Sequence, residues 1–144
     1  MQPVAFKAEH FFDMAMQPAQ TYHRDLLTLE DARTLEGEYA HSLMDGDEPM
    51  GCVGLAPFNR HCVRIWALLS DKARGGKFVE VHRWAKFYVT NLPFRRIEAT
   101  AAIDFEAAKR WLPMLGFEWE STMRSFDERG VDHHLYAIVR EASQ

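Results

Sequence analysis

The chain has 144 residues, 47% of them hydrophobic, a length common for one domain and sufficient to bury a continuous core. A charged fraction of 26% and a formal net charge of -4 speak against a polybasic nucleic-acid binder and against a disordered acidic tail. The longest apolar runs, such as Ile65 to Leu69, fall far short of the roughly 20 residues a membrane-spanning helix needs. The first residues, Met1 to Met14, lack the basic start and apolar run of a secretory leader, so a cytoplasmic protein is expected. Cys52 and Cys62 have no CxxC spacing and read as inert core thiols.

Val4 to Phe6 begin a strand. The polar segment from Asp13 to Glu36 follows, where Leu26, Leu27, Ala32 and Leu35 can line one helical face. Thr28 ahead of Glu30 and Asp31 suggests the cap of a second short helix that ends at Gly37. Glu38 to Met44 and Met50 to Ala56 flank Asp45-Gly46-Asp47, which predicts a tight β-hairpin. His61 to Leu69, with Val63, Ile65, Trp66, Leu68 and Leu69, is the most apolar strand and is expected at the centre of the sheet. The loop from Ser70 to Lys77 leads into a helix reaching about Asn91, whose apolar positions Phe78, Val81, Trp84, Ala85, Tyr88 and Val89 recur at helical spacing. Arg96 to Ala102 read as a strand. Asp104 to Leu115 read as a helix with Asp104 as N-cap and Gly116 as its stop. Phe117 to Asp127 and Val131 to Arg140 alternate as a closing hairpin around Glu128-Arg129-Gly130. No repeat or linker interrupts the chain, so residues 1–144 are expected to form a single domain in the order β-α-α-β-β-β-α-β-α-β-β.

That order, with Arg96-Ile97-Glu98-Ala99 before a helix that closes on Trp111-Leu112-Pro113-Met114-Leu115-Gly116-Phe117, resembles the GCN5-related N-acetyltransferases, the GNAT superfamily. Ala108 falls where those proteins keep a small residue. Lys72-Ala73-Arg74-Gly75-Gly76-Lys77 stands in place of their loop of glutamine or arginine, two free positions, glycine, a free position and glycine or alanine. The resemblance implies an α/β (α+β) fold, with a central mixed, mainly antiparallel sheet of about 6 or 7 strands flanked by about 4 helices. It also implies acetyl-CoA as cosubstrate, a primary amine of a small molecule or protein as acceptor, and no metal. Oligomeric state is open, a homodimer being compatible with the fold.

A pyrophosphate needs donors, and amides at a helix start supply them where glycine lets the backbone come close. Under the resemblance Gly75 and Gly76 fill that role, while Lys72, Arg74 and Lys77 pair with phosphate oxygens. The backbone of Trp66, Ala67, Leu68 and Leu69, on the splayed part of the central strand, would flank the thioester and polarise its carbonyl. Candidates for accepting the amine proton are Glu38 and His41 on the first hairpin strand, His61 at the start of the central strand and Ser70 at its end.

The chain also departs from the family pattern. Lys77 replaces a glycine or alanine, and Leu112 replaces the tyrosine that protonates the leaving thiolate. Phe105 stands at a common asparagine, and Pro113 at a common glutamate. Read without the family, Gly75-Gly76 among cations is simply a solvated strand-to-helix turn. His133 and His134 on a strand point to opposite faces and cannot share one metal. The four tryptophans read as core, and Phe11, Phe12, Met14 and Met16 as packed or oligomer-contacting surface. An alternative is a catalytically silent member of the fold, because the degenerate loop beginning Ser70-Asp71 also resembles small GNAT-like proteins encoded beside bacteriophage virion genes. Virion proteins would then be its partners, in the host cytoplasm or the virion.

Overall fold

A computed structural model describes residues 1–141. In chain order the elements are β1 (Gln2–Ala5), α1 (Ala8–Asp13), a 3-10 turn (Pro18–Gln20), α2 (Tyr22–Leu26), α3 (Leu29–Arg33), β2 (His41–Asp45), β3 (Glu48–Pro57) and β4 (Cys62–Leu69). They continue with α4 (Gly76–Thr90), β5 (Arg96–Ala102), α5 (Glu106–Met114), β6 (Glu118–Met123) and β7 (His133–Val139). The seven strands form a mixed sheet in the order β1-β2-β3-β4-β5-β7-β6. Pairing is antiparallel between β1 and β2, β2 and β3, β5 and β7, and β6 and β7, and parallel between β4 and β5. The expected fold class and the central place of the apolar strand hold.

Local chemistry explains most boundaries and corrects several expectations. Thr28 does cap α3: its side chain accepts from Asp31 N–H at 3.1 Å while the Asp31 carboxylate accepts from Thr28 N–H at 3.0 Å. The helix ends at Arg33 with Thr34 as its C-cap, however, not at Gly37. The expected helical face also fails at Leu26, which is half exposed. A separate helix, α1, lies ahead of the predicted helical segment. β2 begins at His41, so Glu38 sits in an exposed turn and not on a strand. The hairpin turns on Gly46 at φ +62, a left-handed value that glycine adopts without strain. Phe105, not Asp104, is the N-cap residue of α5, and the Asp104 carboxylate lies 3.6 Å from Arg129.

The contacts gather in two compact units, Met1–Leu55 with Trp66–Phe87, and Ala56–Ile65 with the described residues from Tyr88 to Glu141. In the first unit Phe6, Phe11, Met14, Met16, Ala40, Cys52 and Leu68 are buried together, with Phe12, Leu27, Leu35 and Trp66 packed on them. Complete burial of a phenylalanine such as Phe6 or Phe11 contributes about 1.5–3 kcal/mol. The apolar residues Phe11, Met14 and Met16 therefore belong to the core and are not an outer surface. Behind them Ser42 is fully buried, 2.7 Å from His10 Nδ1 and 3.3 Å from Cys52 Sγ. Burial pushes the Cys52 thiol up to about 11, only partly offset by the Ser42 contact, which keeps it protonated.

In the second unit β5 is buried on both faces, at Ile97, Ala99, Ala101 and Ala102, as a central strand should be. α5 packs against β5 and β6. The guanidinium of Arg140 donates to the carbonyls of Val89 and Leu92, covering the end of α4 where helical carbonyls lack partners. Trp119, expected in the core, is 57% exposed on β6. His133 bonds to Asp127 at 2.9 Å, while the His134 ring lies edge-on to Trp119, so the two rings do have separate partners. Burial alone would raise the Asp127 carboxyl. Hydrogen bonds from His133, Arg129 and the amides of Val131 and Arg129 outweigh it and hold the group well below the usual range.

One buried charge carries a prediction. Glu98 on β5 accepts from Arg64 at 2.7 Å and from Arg96 at 2.8 Å, and Arg96 reaches on to Glu120 at 2.6 Å. The Arg64 guanidinium also lies over the rings of Phe58 and Phe126. Burial opposes the Glu98 charge, but the two arginines win and lower its pKa. Glu98→Gln leaves two half-buried guanidiniums without their shared anion, so it should cost about 1–3 kcal/mol at pH 7. A folded-state pKa below the unfolded value gives stability that is present above about pH 4.3 and lost as pH falls through the folded value. The difference between wild type and Glu98→Gln in urea melts should therefore shrink in acid.

Candidate functional site

The end of β4 from Trp66, the loop after it, the start of α4 and the 3-10 turn all lie in the first unit. β4 alternates its backbone groups: Ser70 N–H donates to Met50 O at 2.9 Å, so Ser70 and Leu68 face β3. Ala67 and Leu69 consequently present their N–H and C=O groups to the opposite edge. The parallel register with β5 covers Cys62↔Arg96, Val63↔Ile97 and Arg64↔Glu98, and the Trp66–Leu69 stretch follows it. The 3-10 turn supplies the partner for this edge. Gln20 Nε2 donates to Ala67 O at 3.1 Å, and Leu69 N–H donates to Gln20 Oε1 at 3.1 Å.

The chain leaves β4 through a tight turn. Ser70 is buried, and its hydroxyl accepts from Lys72 N–H at 3.0 Å while its carbonyl accepts from Ala73 N–H at 3.1 Å. Gly75 has φ +57 and opens α4, with Val79 N–H returning to its carbonyl at 3.1 Å. A Cβ built on Gly75 or Gly76 would meet nothing within 4 Å, so the face of the loop is open. The amide of Gly76 is among the first-turn donors that a helix leaves without intrahelical partners.

The three cations of the loop are all engaged by carboxylates. Lys72 contacts Glu48 at 3.0 Å, Arg74 contacts Asp71 at 2.8 Å and Lys77 contacts Asp45 at 2.9 Å. The Lys77 pair lowers the Asp45 pKa and raises its own, through the hydrogen bond first and the charges second. All six side chains are substantially exposed, so each pair is worth little and is readily exchanged for another anion. Lys77, the departure from the glycine-rich pattern, thus reaches toward the β2–β3 turn and leaves the space over Gly75 clear.

The proton-acceptor candidates are not assembled. Glu38 is exposed in its turn, and Ser70 is spent on turn formation. His61 is exposed before β4 with its ring against Arg95, in the second unit. His41 is half-buried at the start of β2. Its Nδ1 lies 3.1 Å from Tyr39 O, a carbonyl that only accepts, so Nδ1 carries a proton and donates it there. Sequence reasoning missed Gln20, because one glutamine in a Pro-led turn has no motif to betray it. It missed His10 and Ser42 for the same reason. Among the described residues no cluster of three His, Cys, Asp or Glu side chains is arranged to hold a metal ion, and no helix is long and apolar enough to cross a membrane.

No protein-family model matches the sequence, and no curated protein matches it significantly. Solved structures do match over nearly the whole chain. An acetyltransferase of the GNAT family from Bacillus anthracis aligns with TM-score 0.68 and 16% identity, covering 95% of this chain and 93% of that one. The Ard1 protein of Thermoplasma volcanium aligns with TM-score 0.74 and 12% identity, covering 96% and 97%. A point variant of the spermidine N-acetyltransferase of Vibrio cholerae aligns with TM-score 0.67 and 14% identity, covering 96% and 95%. At such identities the likeness establishes the fold, which is that of the GNAT acetyltransferases.

Proposed function

We propose that the chain, acting as one cytoplasmic domain, is an acetyl-CoA-dependent N-acetyltransferase that moves the acetyl group to a primary amine. The observation that carries this reading is the open glycine pair at the start of α4, directly beyond a strand edge able to take an amide. Acetyl-CoA would supply the acetyl group as an activated thioester. Gly75 and Gly76 amides are suited to its pyrophosphate, and Lys72, Arg74 and Lys77 can trade their exposed carboxylates for its phosphates. The backbone of Trp66, Ala67, Leu68 and Leu69 lines the acyl end, where an N–H polarises the carbonyl.

In the reaction the amine loses a proton as its C–N bond forms and the C–S bond breaks. Among Glu38, His41 and Ser70 we assign the proton to His41, an imidazole half-buried at the start of β2 and oriented through Nδ1 by the Tyr39 carbonyl. Leu112 in place of a tyrosine is compatible with turnover, because a thiol ordinarily titrates near pH ~8.5 and its thiolate leaves without a strong acid. The protein mixed with acetyl-CoA and a panel of spermidine, free amino acids and short peptides should release thiol only when an acceptor is present, with one acetyl group added to that acceptor by mass spectrometry. Thiol release no faster than the uncatalysed rate across the panel would contradict the proposal.

A further inference from the structure

The carboxamide of Gln20 is a chemical double of a peptide unit. It donates to the Ala67 carbonyl and accepts from the Leu69 amide, the two contacts that a neighbouring strand or an extended amide ligand would make on that edge. Its orientation is fixed by its partners, because a carbonyl only accepts and an N–H only donates. The edge is therefore satisfied by a side chain and not by backbone, which is unusual for a strand in mid-sheet.

The attachment of Gln20 is suited to release. Its 3-10 turn has three residues and the following α2 has five, and neither contains a buried residue. The segment just before it is pinned to the end of β4, through Asp71 N–H to Ala15 O at 2.7 Å and the Met16↔Ser70 bridge. The Arg24 guanidinium holds the segment just after it by bonding Met14 O. With the backbone anchored on both sides, Gln20 can free the edge by side-chain rotation alone. The cost is the two hydrogen bonds, which water replaces.

We propose that Gln20 is a displaceable internal ligand of the β4 edge, which occupies the Ala67 carbonyl and Leu69 amide until the secondary amides of coenzyme A take its place. This rests on the acetyltransferase reading and adds to it a self-competition built into the site. Affinity for coenzyme A is accordingly set below what the edge would give unoccupied.

Gln20→Met keeps the length and volume of the side chain and removes both hydrogen-bonding groups. In calorimetric titrations with coenzyme A it should bind on the order of tenfold tighter than wild type, the equivalent of the two net hydrogen bonds no longer broken. Gln20→Ala, which removes the bulk as well, should bind tighter than wild type even where the thioether of the methionine variant obstructs the ligand. In both unliganded variants the Leu69 amide should exchange with deuterium faster than in wild type, and on saturation with coenzyme A the three proteins should become equally protected there. Unchanged affinity in both variants, with wild type binding, overturns the self-competition and leaves the acetyltransferase reading intact. Weaker binding in both makes Gln20 a ligand contact and overturns it equally. Coenzyme A bound by none of the three proteins overturns the acetyltransferase reading itself, together with the inference built on it.

Discussion

Gly54→Ala lowers the melting temperature by roughly 3–10 °C, the equivalent of about 1–3 kcal/mol of overpacking in a domain of this size. The indole of Trp66 lies flat on the β3 backbone at Gly54. An alanine Cβ there would stand 2.4 Å from Trp66 Cζ2, 2.5 Å from Cε2 and 2.7 Å from Nε1, closer than any real contact. The indole cannot simply swing away, because it packs on the buried cluster and meets the Phe6 ring edge-on at 5.2 Å. The strand must shift or the ring must leave its place. Trp66→Ala should therefore absorb most of the effect: on that background Gly54→Ala should cost little, giving a coupling on the order of 1–2 kcal/mol in a double-mutant cycle. Strictly additive losses in urea melts would contradict the packing of the indole on Gly54.

This contact also shows what a sequence can and cannot reveal. The His61 to Leu69 run declared a central strand, because it is the chain's richest in apolar and β-branched residues. Asp45-Gly46 declared its hairpin, Thr28 its capped helix, and Gly116, at φ +101, the end of α5. Each signal is local, and each was borne out because backbone geometry within a few residues decides it. Gly54, by contrast, looks like an ordinary strand glycine, since its reason is an indole twelve positions away in the chain. Asp104 looked like an N-cap, but the cap falls one residue later, at Phe105, and the Asp104 carboxylate lies exposed, 3.6 Å from Arg129. Short helices such as α1 lack enough turns for a periodicity to show.

The candidate site was legible in proportion. Gly75 and Gly76 were identifiable as a strand-to-helix turn, because a glycine pair between an apolar strand and a periodic helix is a local signal, and Gly75 does take a left-handed φ there. The cations beside them were identifiable as cations, but not their engagement by Asp45, Glu48 and Asp71, the first two of which flank the β2–β3 turn. Gln20 was illegible, because a side chain that imitates a peptide unit is recognised only once the strand edge it serves is known.

Gly75→Asp has the largest expected effect on function. The position has φ +57, a left-handed value that Asp and Asn tolerate better than other side chains, and open space at its Cβ, so the fold should survive. A carboxylate would then stand at the mouth of the loop, where a phosphate roughly 4 Å away is repelled by on the order of 1–4 kcal/mol. Gly75→Asn places the same shape there without the charge and isolates the electrostatic part. The most direct measurement is calorimetric titration of wild type, Gly75→Asn and Gly75→Asp with acetyl-CoA. The acetyltransferase account predicts saturable binding to wild type, a modest loss in the asparagine variant and a loss of about 100-fold in the aspartate variant. No binding to wild type at millimolar acetyl-CoA, or equal binding to all three proteins, would contradict it.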